Sequence, residues 1–264
     1  MRATFVSVLA AALLSSQLGL AAANPGTGPE SPEDFRVEIT GSAWLVNSGG
    51  AIQASGTPID LVTDLGVQQR QPTFYGNFVF KPTRRQRIVL EGTPFGLNGN
   101  NTVNRTLVYR GQTFNVSDTV KSNADLDYFF GGYQFDVLSG SAGHLGFSAG
   151  GAYLNATGTI QSLTANTTAT RTETIGLPLA GAEFRVFPIP GHHWLDVDGE
   201  LRGMGFGSYG HYVQASGNGG VWFGHLGLQA GYRAVNADLH ESGNGGSGVT
   251  VRLKGPIFSV VFKW

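Results

Sequence analysis

The sequence predicts an all-β fold, an antiparallel up-and-down transmembrane β-barrel of about ten strands, with eight strands as the alternative. Three observations predict it. The N-terminus has the features of an export signal, and apolar and polar residues alternate along most of the remaining chain. The 264 residues also include 40 glycines but only 13% charged residues. Alternation with a period of two gives an extended strand one apolar face, and abundant glycine is typical of turns and closely packed strands.

The composition argues against several classes of function. A net charge of −1 provides no basic surface for nucleic acid. The absence of cysteine excludes disulfides and thiolate metal sites. No phosphate-binding loop, dinucleotide fingerprint or zinc-ligand spacing is present. We therefore expect no cofactor, no metal site and no nucleic-acid partner.

The first 23 residues have the pattern of a secretory signal peptide. Met1-Arg2 provides the positive charge, Ala3–Leu14 the apolar run, and Ala21–Ala23 the small residues that signal peptidase recognises. The alternative is a retained membrane helix, but Ser15–Gln17 interrupts the run and leaves it shorter than the ~20 residues of a membrane span. We predict cleavage before Asn24. The predicted organisation is a signal peptide at 1–23, a flexible leader rich in Pro and Gly at 24–33, and a barrel at 34–264.

Ten later segments carry the strand pattern. The clearest is 194–203, where Leu195, Val197 and Leu201 share one face and four charged residues share the other. A soluble sheet would turn the charged face to water, whereas a membrane barrel would turn it into its lumen. The predicted strands are 35–46, 72–82, 86–97, 121–138, 143–156, 172–187, 193–204, 210–223, 225–238 and 249–264.

The segments between the strands alternate between short and long, as transmembrane barrels require for turns on one side and loops on the other. Short connections lie at 82–85, 139–141, 188–191 and Gly224, and the connection near 205–210 is a tight turn on the opposite side. Apolar residues change parity near Gly181 and across Gly255-Pro256, which predicts a β-bulge at each place. The segment 109–112 is predicted as the tip of a hairpin that extends the third and fourth strands. The predicted long loops are 47–71, 98–120, 157–171 and 239–248.

The C-terminus places Phe258, Val260, Phe262 and Trp264 at alternating positions and stops on an aromatic residue. This pattern resembles the C-terminal strand that bacterial outer-membrane β-barrel proteins present to the barrel insertion machinery. The segment 114–133 and Ala230-Gly231-Tyr232-Arg233 resemble strands of the OmpA/OmpW-like and opacity-protein barrels. The resemblance implies the outer membrane of a Gram-negative bacterium, with its lipids and the insertion machinery as partners, and we expect a monomer. It implies no ligand, since fold likeness alone does not give function.

Nine charged residues share the predicted lumenal face. Their mixed signs favour a network of ion pairs that fills a narrow barrel, because an unpaired buried charge is costly. The alternative is a constriction that selects ions or small polar solutes. A barrel of eight to ten strands leaves little free bore, which favours the filled lumen. The nine residues are Arg36, Glu38, Glu183, Arg185, Asp196, Asp198, Glu200, Arg202 and Arg233.

These observations predict a non-enzymatic barrel with a structural, adhesive or narrow-pore role and no catalytic residues. One alternative is a lipid-modifying enzyme, because Asp238-Leu-His240-Glu241-Ser242 is similar to the His-x-Ser of lipid A deacylases and could pair a hydroxyl with an imidazole. Another is a secreted soluble barrel that binds a small apolar ligand. Four further histidines fall at predicted turns, where we expect solvated side chains rather than metal ligands: His144, His192, His193 and His225.

Overall fold

The computed structural model describes residues 33–53, 58–109, 112–205, 207–240 and 248–264, and strands dominate these residues. No helix in this part of the chain is long and apolar enough to cross a membrane. In chain order the strands are β1 (Val37–Gln53), β2 (Ile59–Asp60), β3 (Arg70–Thr83), β4 (Gln86–Thr102), β5 (Leu107–Tyr109), β6 (Gln112–Phe114), β7 (Thr119–Gly140), β8 (Gly143–Ser162), β9 (Thr168–Val186), β10 (Leu195–Gly205), β11 (Gly210–Phe223), β12 (Leu226–His240) and β13 (Gly248–Lys263), with a 3₁₀ turn at Gly207–Tyr209.

The barrel is closed by pairing of the last long strand with the first. Antiparallel pairing runs through β1, β3, β4, β7, β8, β9, β10, β11, β12 and β13, and β13 returns to β1. The register of the β1–β13 pairing runs from Glu38↔Lys263 to Gln53↔Gly248. The Trp264 carbonyl accepts hydrogen bonds from the amides of Arg36 and Val37, which extends the closure beyond the ladder. The predicted barrel of ten strands is confirmed, and the alternative of eight is wrong.

The two ends of the barrel differ, and we call them the turn end and the loop end. The turn end carries the C-terminus and the connections 84–85, 141–142, 187–194 and 224–225. The loop end carries the connections that contain β2 and the separate β5–β6 hairpin, and also the short connection 163–167. That hairpin was predicted as an extension of barrel strands, but it forms its own two-stranded sheet. The predicted loop 157–171 is mostly strand, because β8 continues to Ser162 and β9 begins at Thr168.

Outward-facing residues divide the barrel wall into two zones. On β8, Phe147 and Tyr153 face outward and are exposed. Beyond them the outward positions are polar, starting with Asn155 and Thr157. The apolar stretch 145–153 matches the ~9–11 residues with which a tilted strand crosses a bilayer. We call this zone the apolar band, and the remainder, toward the loop end, the protruding part. β7 alone is 22 residues long, so its strand continues well beyond the band.

The two predicted β-bulges are absent, so that prediction is wrong. β8 and β9 pair without a register shift from Gly143↔Val186 to Gln161↔Thr168. The β12–β13 ladder is equally regular. Leu177 and Leu253 face inward instead, because the interior becomes apolar toward the loop end. Where the apolar residues switch from one face of a strand to the other, the strand continues without a bulge. The switch marks the point where the interior of the barrel becomes apolar.

An apolar cluster fills the loop end from inside. Two loops enter it, since Leu65 and Phe114 are buried against strand residues such as Trp44. Ser122 Oγ donates a hydrogen bond to the Leu65 carbonyl at 2.9 Å, which ties the first loop to the lumenal face of β7. Gly99 permits this approach, because a Cβ there would lie 2.3 Å from that carbonyl oxygen. We call the described residues of these two loops, 58–69 for the first and 103–109 with 112–118 for the second, the loop plug.

Candidate functional site in the barrel lumen

One ion pair crosses the whole bore of the barrel. Arg185 on β9 donates to both carboxylate oxygens of Glu38 on β1, at 2.8 and 3.0 Å. Four strands separate β1 from β9 in either direction around the wall. Two further groups balance the pair, Lys263 at 3.6 Å from Glu38 and Asp196 at 3.4 Å from Arg185. A bidentate guanidinium–carboxylate contact has a fixed geometry, so it holds opposite walls at a set distance.

A second set of charges spans the middle of the lumen. Arg202 on β10 lies 2.9 Å from Glu91 on β4 and 2.6 Å from Glu200. Arg233 approaches Glu91 from the other side at 3.7 Å. The Arg202 guanidinium also lies 3.8 Å from the centroid of the Phe130 ring, an arrangement that favours a buried cation. Arg202 and Glu91 are therefore buried as partners.

Neutral polar groups join this set. The Gln214 side-chain oxygen accepts hydrogen bonds from the hydroxyls of Tyr128 at 3.2 Å and Tyr212 at 3.0 Å. Its amide nitrogen donates to Glu200 at 3.0 Å. The two tyrosine rings stack with centroids 6.2 Å apart. These side chains occupy the bore between the two walls, so the lumen at this level is filled rather than open.

A third group lies at the turn end. Arg87 donates to Asp136 at 2.8 Å and to Glu33 at 2.8 Å. Glu33 immediately precedes the barrel wall, at the end of the segment predicted as a leader. His144, which the sequence predicts as a solvated turn residue, is buried on β8 between Glu33 and Glu183, so that prediction is wrong. His192 and His225 are exposed, and His193 is half-buried against the Phe187 ring.

The structure places six of the nine predicted lumenal charges in two groups and the other three separately. Glu38, Arg185 and Asp196 form the cross-bore group, and Glu200, Arg202 and Arg233 belong to the middle group. Glu183 lies 3.3 Å from His144, and Asp198 accepts hydrogen bonds from Asn218 and Gln229. Arg36 lies apart from the others. Its side chain is exposed and donates to the Pro82 carbonyl at 2.7 Å, outside the lumen.

Sequence reasoning missed several lumenal charges that parity could have identified. Arg87 and Glu91 alternate with Ile88 and Leu90 on β4, and Lys263 alternates with the aromatic residues at the C-terminus. The same rule finds Lys81 and Asp136. Glu33 carries no such signal, because it precedes the first strand.

Comparison with solved structures finds proteins with a similar fold. The chain is similar to the outer-membrane protease OmpT from Escherichia coli, with a TM-score of 0.54, 9% identity and coverage of 90% of this chain and 99% of that one. The translocator domain of the autotransporter NalP from Neisseria meningitidis has a TM-score of 0.41 and 11% identity, covering 98% of this chain and 95% of that one. Ail of Yersinia pestis has a TM-score of 0.37 and 8% identity, covering 85% and 99%.

The chain has the fold of a small outer-membrane β-barrel. At 9% identity the likeness to OmpT concerns the fold alone. No protein-family model matches the chain, and the search of curated proteins gave no match.

The loop plug of the barrel is held by a charged pair at the loop end. Arg105 Nε donates to Asp64 Oδ1 at 3.1 Å, and Arg105 Nη2 donates to the Pro58 carbonyl at 2.6 Å. The amide of Asp60 donates to Asp64 Oδ2 at 2.8 Å. Hydrogen bonding from Arg105 lowers the pKa of Asp64, and the Asp60 amide adds to the effect. Asp64 and Arg105 lie on different loops, so the pair fastens the two segments of the plug together.

Two other predicted features lie on the outer surface. Phe258 and Val260 are exposed on the apolar face of β13, Trp264 is exposed directly after this strand, and the Phe262 and Trp264 ring centroids lie 4.1 Å apart. His240 is exposed, with Nε2 at 3.2 Å from Asp238 Oδ1. Ser242, its predicted partner in a His-x-Ser pair, lies outside the described residues, as do the signal peptide and most of the leader.

Proposed function

We propose that the chain is a non-enzymatic outer-membrane barrel with a closed lumen, whose role is structural or adhesive. The observation that carries the proposal is the Glu38–Arg185 pair, which crosses the bore with four strands on either side. The loop plug supports it, since Phe114 and Leu65 fill the opposite end. A passage for solute would need both obstructions to move.

The character of the lumenal contacts favours a structural filling over a selective constriction. Selectivity in a pore comes from groups of one sign that exchange contacts with passing ions. Here Glu91 lies between Arg202 and Arg233, and Glu38 lies between Arg185 and Lys263. Removing one partner from such a pair leaves the other as an uncompensated buried charge. The charges therefore support the barrel wall.

The same proposal assigns location and partners. The apolar band would contact outer-membrane lipid, the turn end would face the periplasm, and the protruding part would stand outside the cell. The alternating residues Phe258, Val260, Phe262 and Trp264 would be recognised by the insertion machinery. We expect a monomer that binds no nucleic acid. An adhesive role would belong to the polar outer surface of the protruding part.

Extraction and conductance test this proposal. The full chain, expressed with its N-terminal signal, should resist carbonate and require detergent, and its unheated form should migrate differently on gels. Release by carbonate would identify a soluble barrel. In planar bilayers the refolded protein should show no steady open state.

The Arg202→Gln variant separates the two interpretations of the lumen. It should melt at a lower temperature than the parent, because Glu91 and Glu200 each lose their nearest cationic partner. The exposed Arg84→Gln variant is the control, since 83% of the Arg84 side chain is accessible. Unchanged melting of Arg202→Gln together with altered ion selectivity would contradict the structural filling.

A further inference from the structure

The carboxylate of Glu33 is enclosed by three cationic side chains and one histidine from the barrel wall. Arg87 Nη2 lies 2.8 Å from its Oε2, His144 Nδ1 3.3 Å and Lys81 Nζ 3.5 Å. Arg185 Nη1 lies 3.6 Å from Oε1. Glu33 is only 2% exposed and the cationic groups are equally buried. We call Lys81, Arg87, His144 and Arg185 the cationic cradle.

The cradle and its occupant come from different parts of the chain. The four residues of the cradle lie on β3, β4, β8 and β9, so closure of the barrel fixes their positions. Glu33 precedes β1 and contributes nothing to the barrel ladder. The cradle is thus a preformed feature of the lumen, whereas the carboxylate reaches it on a tethered segment.

Lys81 shows that the cradle requires an anion. Arg87 also has Asp136 as a partner, and Arg185 also has Glu38. Lys81 Nζ contacts the Glu33 carbonyl at 2.7 Å, the Glu33 carboxylate, and the face of the Phe35 ring at 4.4 Å from its centroid. Within the described residues, Glu33 is the one carboxylate that pairs with it. If Glu33 left, this buried ammonium would lose the one carboxylate that contacts it directly among the described residues, at considerable cost.

We propose that the cationic cradle is a binding site for a small carboxylate anion that enters at the turn end, with Glu33 as its built-in competitor. Two guanidinium groups and an ammonium provide the directed donors and the charge that a carboxylate requires. This inference goes beyond the proposed function, because a closed structural barrel has no need to bind an anion.

Tethering sets the strength of the competition. A group held on a short segment acts at an effective concentration on the order of millimolar, which a free anion must exceed to displace it. The parent protein should therefore bind a free carboxylate weakly. Replacing Glu33 by Ala removes the competitor and leaves space for a short acid, so affinity should rise by about tenfold or more.

The test uses the full chain in detergent, with sodium propionate as the probe and sodium chloride at equal ionic strength as the reference. Calorimetric titration and melting temperature are measured for the parent, Glu33→Ala and Asp34→Ala. Asp34 is the matched control, because this neighbouring carboxylate pairs with the exposed Arg84 at 3.2 Å. Propionate should bind Glu33→Ala at least about tenfold more tightly than the parent or Asp34→Ala. Adding Lys81→Met to Glu33→Ala should abolish the difference.

Each outcome decides the proposal. A folded Glu33→Ala protein that responds to propionate no more than Asp34→Ala overturns it, as does an undiminished response in the double variant. If Glu33→Ala does not refold in chloride, the folded fraction is measured with propionate present during refolding. Recovery that depends on propionate supports the site, and absence of recovery contradicts it.

Discussion

Arg185 Nη1 lies 2.8 Å from Glu38 Oε2, although the two residues belong to strands on opposite sides of the barrel. Both side chains are almost fully buried. Strand number and stagger set the diameter of a closed barrel, and a contact across the bore adds a direct attraction between opposite walls. The pair therefore links the cross-section of the barrel directly to its stability.

A double-mutant cycle on this pair should show strong coupling. Arg185→Met should lower the free energy of unfolding by ~3–5 kcal/mol, because Glu38 would lose its bidentate partner inside the lumen. Glu38→Gln should destabilise less, since Gln can still accept a hydrogen bond. The double variant should recover part of the loss, giving a coupling energy of ~0.5–3 kcal/mol. Urea unfolding in lipid vesicles measures all four proteins, and additive effects would show that the pair does not act as a unit.

The division of the wall into two zones predicts opposite tolerance to charge on a single strand. Ala149 and Thr159 both face outward on β8, the first within the apolar band and the second in the protruding part. Ala149→Arg should destabilise the barrel by ~2–4 kcal/mol, because it places a cation in the middle of the hydrocarbon layer. Thr159→Arg, the matched control, should change the unfolding midpoint in vesicles little. Equal effects at the two positions would contradict the placement of the band.

Packing of the loop plug predicts that substitutions at two residues of the β5–β6 hairpin differ in their effect on local stability. Phe114 on β6 is fully buried in the apolar cluster, whereas Val108 on β5 is exposed. Phe114→Ala should cost ~3–5 kcal/mol of local stability, because it leaves a cavity beneath the loops. Limited proteolysis of segment 103–118 measures the loss. Val108→Ala should be cleaved at the parental rate, and rapid cleavage of both variants would show that the plug does not depend on packing.

Much of the barrel follows from local alternation in the sequence. All ten long strands and the inward direction of Glu38, Arg185 and Arg202 are encoded by residue parity. The protruding part could not be recognised in this way, because its outward residues, such as Thr157 and Thr159, have the polarity of a loop. There the apolar face turns inward, so the pattern that marks a membrane strand is reversed.

The site itself was only partly predictable, since it depends on closure. The alternation of residues along each strand predicts that Glu38 and Arg185 face the lumen. The distance between the two side chains, however, depends on the number of strands that separate β1 from β9. Glu33 could not be predicted because its position depends on where the leader meets the wall. His144 lies near a turn in the sequence but inside the lumen in the structure, where Glu33 and Glu183 lie beside it.

The Asp64–Arg105 pair predicts how the loop plug responds to acid. Hydrogen bonding from Arg105 lowers the pKa of Asp64, so the ionised carboxylate binds its partner best in the docked plug. A lowered pKa contributes stability that is complete above the ordinary value of ~3.9 and is lost as the pH falls through the lowered value. The plug should stay protected from neutral pH down to about pH 4 and loosen progressively below it.

Hydrogen exchange at the amides of Leu65 and Val67, corrected for the intrinsic effect of pH, measures this loosening. Both amides donate within the first loop of the plug, to the carbonyls of Asp60 and Leu61. Asp64→Asn should exchange quickly already at pH 7, because the neutral side chain forms no ion pair with Arg105. Asp127→Asn, which removes an exposed carboxylate on β7, should keep the parental profile. A parental profile in Asp64→Asn would show that packing alone holds the plug closed, and an acid transition well above pH 4 would assign the sensitivity to another group.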